Sequence, residues 1–161
     1  MILAKRRSDI PPFSRIAFQN LGNERQIVEK LNRELDLWIR SKKGTDDLIE
    51  RIRKAINSSY SRAATIAQTE RTRVQNEARL EAIKELNRTR VGMKRYRKQW
   101  IARRDNKTRD THADLGGTIQ YADRYFVTKT GAKLMYPGDP LAPPGEIINC
   151  RCYIRKILPK E

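Results

Sequence analysis

Thiols and imidazoles are scarce in this chain: its 161 residues include two cysteines, Cys150 and Cys152, and one histidine, His112. This scarcity argues against a disulfide-stapled scaffold, which is dense in cysteine. No apolar run approaches the roughly 20 residues that span a bilayer. The first residues, MILAKRRSDIPPF, have an apolar stub that is too short and wrongly ordered for a signal peptide. We therefore expect no membrane association and a protein made in a cytosol with reduced thiols.

Acidic residues are the other deficit. The chain has 19 Asp and Glu against 35 Lys and Arg, so its formal net charge is +16 at pH 7. Such an excess is typical of proteins that bind a polyanion, either nucleic acid or an acidic protein surface. A solvated basic surface without a dedicated partner is the alternative, because net charge bears on association rather than on fold.

No proline occurs between Pro12 and Pro137, and this absence divides the chain. Residues 1–22 contain prolines and no hydrophobic period, which predicts an extended arm. Residues 23–90 carry helical periodicity and predict a helical region. Residues 91–161 predict a compact module with short strands, so the expected fold class is α+β, with long N-terminal amphipathic helices before a small β-containing module.

The first predicted helix follows a plausible cap at Asn23 and ends near Gly44. Its apolar residues recur at three- and four-residue steps, which places them on one helical face. We expect this face to dock on another protein; its candidate docking residues are Ile27, Leu31, Leu35 and Trp38.

The next helical stretch runs from Thr45 to Arg90, and Ser58-Ser59 either bends or splits it. Alanines and other small apolar residues form a narrow seam that we expect to pack on a neighbour: Ala63, Ala67, Val74, Ala78, Ala82 and Leu86. A polar stripe of Thr69, Arg73 and Asn76 lies beside this seam. It is either a hydrogen-bonded lock onto the C-terminal module or a solvated face.

The C-terminal module is predicted from three strand-like segments, MKRYRKQWIARRD, RYFVTKTG and EIINCRCYIRKI. Between them, NKTRDTHADLGG indicates a turn with one turn of helix, and YPGDPLAPPGE indicates a proline-fixed loop.

The spacing of Cys150 and Cys152 places both thiols on the same face of a strand. Two thiolates that close together can share a zinc ion. His112 with a carboxylate such as Asp105, Asp110 or Asp139 can complete a tetrahedron, and Asp105 is the candidate that we select. The alternative is that both thiols are small buried side chains. A disulfide over this spacing requires a strained ring, so we do not expect one.

The segment KRYRKQWIARRDNKTR is the densest basic stretch. Basic side chains beside aromatic residues are suited to binding a nucleic-acid backbone. Contact with the phosphates does not depend on the nucleotide sequence. We expect non-specific DNA contact through the basic residues of this segment: Lys94, Arg95, Arg97, Lys98, Arg103 and Arg104.

Three motifs occur in order: RAATIAQTERTRVQNEARLEA at 62–82, WIARRDNKTRDTHADLGG at 100–117 and YPGDPLAPPGEIINCRC at 136–152. Together they resemble the phage Mu F-like minor head protein family, also called phage head morphogenesis proteins. The resemblance implies a non-enzymatic virion protein of the head or neck region, present in the host cytoplasm during assembly. It implies action near the portal vertex in head assembly and DNA packaging or delivery. The implied partners are the portal protein, the major capsid protein and the phage DNA backbone.

The family is also grouped with the ADP-ribosyltransferase fold, so an enzyme or toxin domain of that kind is the alternative. Arg103 and Glu146 are the catalytic candidates under that alternative. No Gly-rich phosphate loop or convincing NAD-binding set is present. We therefore expect no catalysis, no small-molecule substrate and no cofactor, unless a structural zinc binds His112 and the two cysteines.

Overall fold

The computed structural model describes residues 24–90 and 93–158, apart from the side chains of Glu24 and Arg25. The predicted arm over 1–22 and the predicted cap at residue 23 lie outside them. The described elements are α1 (Glu24–Ser41), α2 (Thr45–Ile56), α3 (Tyr60–Arg88), β1 (Arg97–Ile101), α4 (Asp110–Asp114), β2 (Ile119–Tyr121), β3 (Phe126–Val127), β4 (Lys133–Leu134), α5 (Pro144–Ile147) and β5 (Tyr153–Ile157). This order confirms the α+β class, with long helices preceding a small antiparallel module.

The helix breaks follow local backbone chemistry. Asn57 ends α2 in the left-handed conformation, at φ 49°, which asparagine tolerates better than most residues. The Ser59 hydroxyl then accepts a hydrogen bond from the Arg62 amide, as an N-terminal cap does. Of the two alternatives at Ser58-Ser59, a bend or a split, the structure has the split, between α2 and α3.

The apolar face of α1 is buried within the chain. α1 packs against α2, which presents its own apolar face of Leu48, Ile49 and Ile52. Leu31 and Leu35 are fully buried, and the Trp38 indole donates a hydrogen bond to the carbonyl of Gly44. The candidate docking residues are thus core residues, except for the half-buried Ile27, because two amphipathic helices joined by a short turn cover each other.

Contacts divide the chain into two compact units between Glu70 and Arg71, inside α3. We call them the helical unit, up to Glu70, and the C-terminal unit, from Arg71. The expected boundary between helical region and module was residue 90. The difference arises because the second half of α3 contributes its side chains to the core of the C-terminal unit, where Leu80 and Ile83 are buried.

A three-stranded antiparallel sheet in the order β2-β1-β5 forms the frame of the C-terminal unit. Alternation along β1 buries Lys98 and Trp100 and leaves Arg97 and Gln99 partly exposed. β3 and β4 form a separate two-stranded sheet, in which Phe126 lies opposite a leucine of β4. The predicted strands in MKRYRKQWIARRD and RYFVTKTG are confirmed as β1 and β3.

Trp100 is the centre of this core and is fully buried. Its ring makes edge-on contacts with Phe126, at 5.2 Å between centroids, and with His112, at 5.1 Å. These contacts connect the central strand to β3 and to the short helix α4. The further buried apolar residues of the unit include Leu115, Leu134, Ile147 and Ile154.

The segment EIINCRCYIRKI is not one strand. Pro144 begins the short helix α5, where its fixed φ is compatible with a first helical position. Asn149 is left-handed at φ 57°, and strand β5 begins only at Tyr153. Cys150 and Cys152 therefore lie in the connection before β5 rather than within a strand.

Candidate metal centre

The polar stripe of α3 is not a solvated face, because Thr69, Arg73 and Asn76 are all buried, and Asn76 is the member that locks onto the C-terminal module. The Asn76 amide nitrogen donates to the carbonyl oxygens of Pro137, at 3.0 Å, and Cys152, at 3.1 Å. Its amide oxygen accepts from the Ile154 backbone N–H at 3.0 Å. One side chain thus fixes both the proline loop and the start of β5 against α3.

The alanine seam beside this stripe divides into two parts. Ala63 and Ala67 are buried, as expected of residues that face a neighbour. Ala78, Ala82 and Leu86 are exposed, because the second half of α3 turns its polar stripe toward the C-terminal unit. The seam therefore predicts packing correctly only in the first half of the helix.

Both cysteine backbones are held by α3. The Thr72 hydroxyl donates to the carbonyl oxygen of Cys150, one helical turn before the bond from Asn76 to Cys152. Gly138 lets the proline loop approach the same turn of α3: its φ is +85°, and a Cβ there would lie 3.1 Å from the backbone of Arg73. The backbone that carries the two thiols is therefore fixed independently of its side chains.

The two thiols and His112 converge in the interior. The His112 Nδ1 atom lies 3.5 Å from the sulfur of Cys150 and 3.8 Å from that of Cys152. The three residues are 1–4% exposed, and their potential ligand atoms all lie within 4.8 Å of one another. Two soft sulfurs and an imidazole nitrogen at these separations can hold a metal ion.

The other nitrogen of His112 faces a carboxylate. His112 Nε2 lies 3.1 Å from Glu146 Oε2. The distance suits a hydrogen bond, but the angle between the two groups does not meet the geometry of one. The Glu146 carboxylate accepts hydrogen bonds from the hydroxyls of Thr111, at 3.1 Å, and Thr130, at 3.3 Å. These two threonines fix the carboxylate beside the imidazole.

The two thiols titrate as a pair. The hydrogen bond between them raises the pKa of Cys150 and lowers the pKa of Cys152, and burial makes ionisation of either thiol less favourable. His112 also hydrogen-bonds the Cys152 sulfur, which favours its thiolate. Cys152 therefore loses its proton first as the pH rises, and Cys150 remains a thiol to higher pH.

Asp105 lies outside the group of three. Both its carboxylate oxygens accept hydrogen bonds from the Arg151 guanidinium, at 2.6 and 2.7 Å, on the exposed side of the Cys-x-Cys segment. This bond holds the pKa of Asp105 below its usual range. The structure thus brings together His112, Cys150 and Cys152 among the four candidate ligands and engages the fourth in an ion pair.

The space beside the cluster is small. A cavity of about 10 Å³ is lined by the three cluster residues and by neighbours that include Thr108 and Arg109. A cavity of this size is near the lower limit for holding one water molecule. It has no room for an organic substrate next to the sulfurs.

The comparison with protein families identifies the chain. A model of the family described as phage Mu protein F like protein matches residues 30–155, well over half of the sequence. The chain belongs to the phage Mu protein F-like family. No curated protein and no solved structure matches it. Among the described residues, no helix is both long and apolar enough to cross a bilayer.

The phage Mu protein F-like family consists of structural proteins of phage head morphogenesis. Membership places this protein among the components of the phage head and agrees with a non-enzymatic role. The matched region contains α2, α3, the strands from β1 to β4, the start of β5 and the whole His–Cys cluster. The cluster therefore belongs to the part of this chain that defines the family match.

The candidate DNA contacts of this Mu F-like protein have different environments. Lys94, Arg95 and Arg104 are exposed. Arg97 is partly exposed and lies over the Tyr121 ring, donating to its hydroxyl. Arg103 is exposed and 3.7 Å from the carboxylate of Asp105.

Lys98 is the exception, because the alternation of β1 points it inward with Trp100. It is fully buried, donates to the carbonyl oxygen of Met135 at 2.7 Å and lies over the Phe126 ring. Burial lowers the pKa of Lys98 to about 8. Lys98 therefore does not belong to any basic surface of this protein.

The two catalytic candidates of the enzyme alternative belong to separate networks. Arg103 pairs with Asp105 on the surface, whereas Glu146 bonds Thr111 and Thr130 beside His112. Sequence reasoning did not connect Glu146 with His112, nor Thr72 with Cys150. The one available signal was the four-residue spacing of Thr72 and Asn76, which places both on one face of α3.

Proposed function

We propose that this protein is a minor head component that acts near the portal vertex, in head assembly and in DNA packaging or delivery. The observation that supports this most is the family match over residues 30–155. The proposed partners are the portal protein and the major capsid protein. The apolar face of α1 is buried, so a partner contacts other surfaces of the chain.

Mass spectrometry of purified heads tests this function. Peptides of the chain are expected in heads at a small fraction of the copy number of the major capsid protein. A matched preparation from a phage lacking this gene controls for adhering host proteins. Heads that never contain the chain, at any stage of assembly, would contradict the proposal.

The proposed contact with DNA is non-specific and electrostatic. Lys94, Arg95 and Arg104 are exposed on the segments that flank β1, in a chain of net charge +16. Contact with backbone phosphates is independent of base sequence, and affinities of about 10⁻⁴–10⁻⁶ M are typical of such binding. The partly exposed Arg97 lies on the strand between them.

Charge reversal tests the DNA surface directly. Replacing Lys94, Arg95 and Arg104 by glutamate should reduce the slope of log K against log salt by about 0.9 for each lost phosphate contact. A matched triple reversal at the exposed residues Lys30, Arg33 and Lys54 changes net charge equally but lies in the helical unit. Equal losses from both triple variants would show that net charge alone, and no particular surface, drives binding.

A further inference from the structure

We propose that the C-terminal unit binds one zinc ion through His112 Nδ1 and the sulfurs of Cys150 and Cys152. This proposal stands independently of the function proposed above, because it depends only on the geometry of the cluster. The ion would connect α4, which carries the histidine, to the connection before β5, which carries the cysteines.

The separations match a tetrahedral centre. Zn–S bonds of about 2.3 Å and Zn–N bonds of about 2.1 Å place a sulfur and a nitrogen ligand about 3.6 Å apart. The observed distances from Nδ1 are 3.5 Å to Cys150 and 3.8 Å to Cys152. A single ring nitrogen can make one well-directed hydrogen bond, whereas here two sulfurs lie at nearly equal distance from it. A metal ion bound by all three atoms accounts for both nitrogen–sulfur distances.

The surroundings orient each ligand before any metal arrives. Thr72 and Asn76 hold the carbonyl oxygens of the two cysteines, so the backbone of the ligands is fixed to α3. Glu146 faces the far nitrogen of His112, which is the usual position of the carboxylate behind a zinc-bound histidine. The Trp100 ring packs edge-on against the imidazole, which is 1% exposed.

The donor set selects zinc, and the small space beside it indicates a structural role. Thiolate and imidazole ligands favour zinc over the hard cations Mg²⁺ and Ca²⁺. No fourth His, Cys, Asp or Glu joins the group among the described residues. The adjacent cavity of about 10 Å³ provides space for one water as the fourth ligand but not for a substrate.

Zinc binding is a ligand exchange, and it needs no oxidant, reductant or other co-reactant. The hydrated Zn²⁺ gives up water ligands and gains two Zn–S bonds and one Zn–N bond. The thiol protons pass to solvent, so no atom is oxidised or reduced. Zinc affinity should therefore increase with pH through the range in which the thiols lose their protons.

Metal analysis of the full-length protein, purified reduced and without chelator, tests the proposal first. One zinc per chain is expected, and a zinc-free sample should rebind Zn²⁺ or Co²⁺ with recovery of thermal stability. Bound Co²⁺ should show the visible absorption of a tetrahedral site with sulfur ligands. A reduced, folded protein that contains no zinc and binds neither ion at micromolar concentration overturns the proposal.

Variants then assign the ligands. Cys150→Ser and Cys152→Ser should each abolish the cobalt spectrum, and Glu146→Gln should weaken zinc affinity about 10- to 100-fold. Asp105→Asn is the matched carboxylate control and should retain one zinc, because Asp105 bonds Arg151 instead. If a cysteine variant fails to fold, the spectrum of the wild-type protein still decides. Loss of zinc from Asp105→Asn, or retention by both serine variants, would overturn the assignment.

Discussion

Asn76 bonds three backbone groups in two segments of the C-terminal unit, the proline loop and the start of β5. Its amide nitrogen bonds the carbonyl oxygens of Pro137 and Cys152, and its amide oxygen accepts from the Ile154 N–H. An apolar residue would leave these groups buried and unpaired, so the polarity of this position follows from the backbone that packs against it. This requirement explains why Asn76 is buried although it is polar.

Replacing Asn76 by alanine should destabilise the protein strongly. Each buried group left without a partner costs about 1–3 kcal/mol, so we expect a total loss of at least about 3 kcal/mol. Gln75→Ala on the exposed face of the same helix turn is the control and should remain within about 0.5 kcal/mol of wild type. Urea denaturation measures both, and a loss below about 1 kcal/mol for Asn76→Ala would refute the lock.

Lys98 makes the folded state sensitive to alkaline pH. Its pKa falls from 10.5 to about 8 because burial disfavours the charged ammonium. Between these values the unfolded chain binds more protons than the folded protein, so the contribution of Lys98 to stability rises with pH, by at most about 1.4 kcal/mol per pH unit. Below pH 8 both states hold the proton and this contribution is constant.

The comparison of wild type with Lys98→Met isolates this effect from other groups. The stability of wild type relative to the variant should be constant near pH 7 and rise from pH 8 toward 10. Lys94→Met, at an exposed position, should show no such trend. Denaturation at several pH values measures the difference, and a flat difference for Lys98→Met between pH 8 and 10 would contradict its buried position.

At the scale of elements, the docking of the proline loop on α3 depends on one glycine. Gly138 and Gly131 have nearly the same positive φ, +85° and +83°. A Cβ at Gly138 would lie 3.1 Å from the Arg73 backbone, whereas a Cβ at Gly131 would meet nothing within 4 Å. The two positions therefore separate the cost of the backbone conformation from the cost of close packing.

Alanine at each glycine should show this separation. Gly131→Ala should cost about 1–2 kcal/mol, the penalty of the left-handed region for a residue with a side chain. Gly138→Ala should cost about 1–3 kcal/mol more, because the loop must move away from α3. Thermal or urea unfolding of the pair provides the measurement; equal losses would mean that the loop does not press on the helix.

Sequence periodicity predicted the elements whose side chains alternate regularly. The helical spacing in α1 and the strand β1 both have the expected character. Periodicity failed before β5, because Pro144 favours a helical first turn and the left-handed Asn149 interrupts the strand. Periodicity also did not predict the burial of Lys98. A lysine side chain has an apolar stem and a charged end, so it is compatible with either face of a strand.

The site was predictable in its chemistry and less so in its geometry. The scarcity of Cys and His made His112, Cys150 and Cys152 recognisable as one group, and the structure brings them together. The argument that placed both thiols on one strand face was wrong, since they precede β5. Asp105 could not be assigned from sequence, because its preference for Arg151 depends on tertiary contacts.

At the scale of the whole molecule, the chain combines a helical unit with a C-terminal unit that carries the cluster and much of the basic excess. The family match extends across both units, from residue 30 to residue 155. The exposed basic residues next to β1 are the surface that we propose for contact with the DNA backbone. The family match supports a component of the phage head, and contact with DNA and with other head proteins is part of the proposed function.

The position of the chain in the particle tests this account most directly. A tagged full-length protein should be located by electron cryo-microscopy of assembled heads, reconstructed without imposed icosahedral symmetry and compared with untagged heads. We predict extra density at a single vertex, the one that holds the portal, and none at the other vertices. Density distributed over all vertices or over the capsid lattice, or a head without the chain, would contradict the proposed role at the portal.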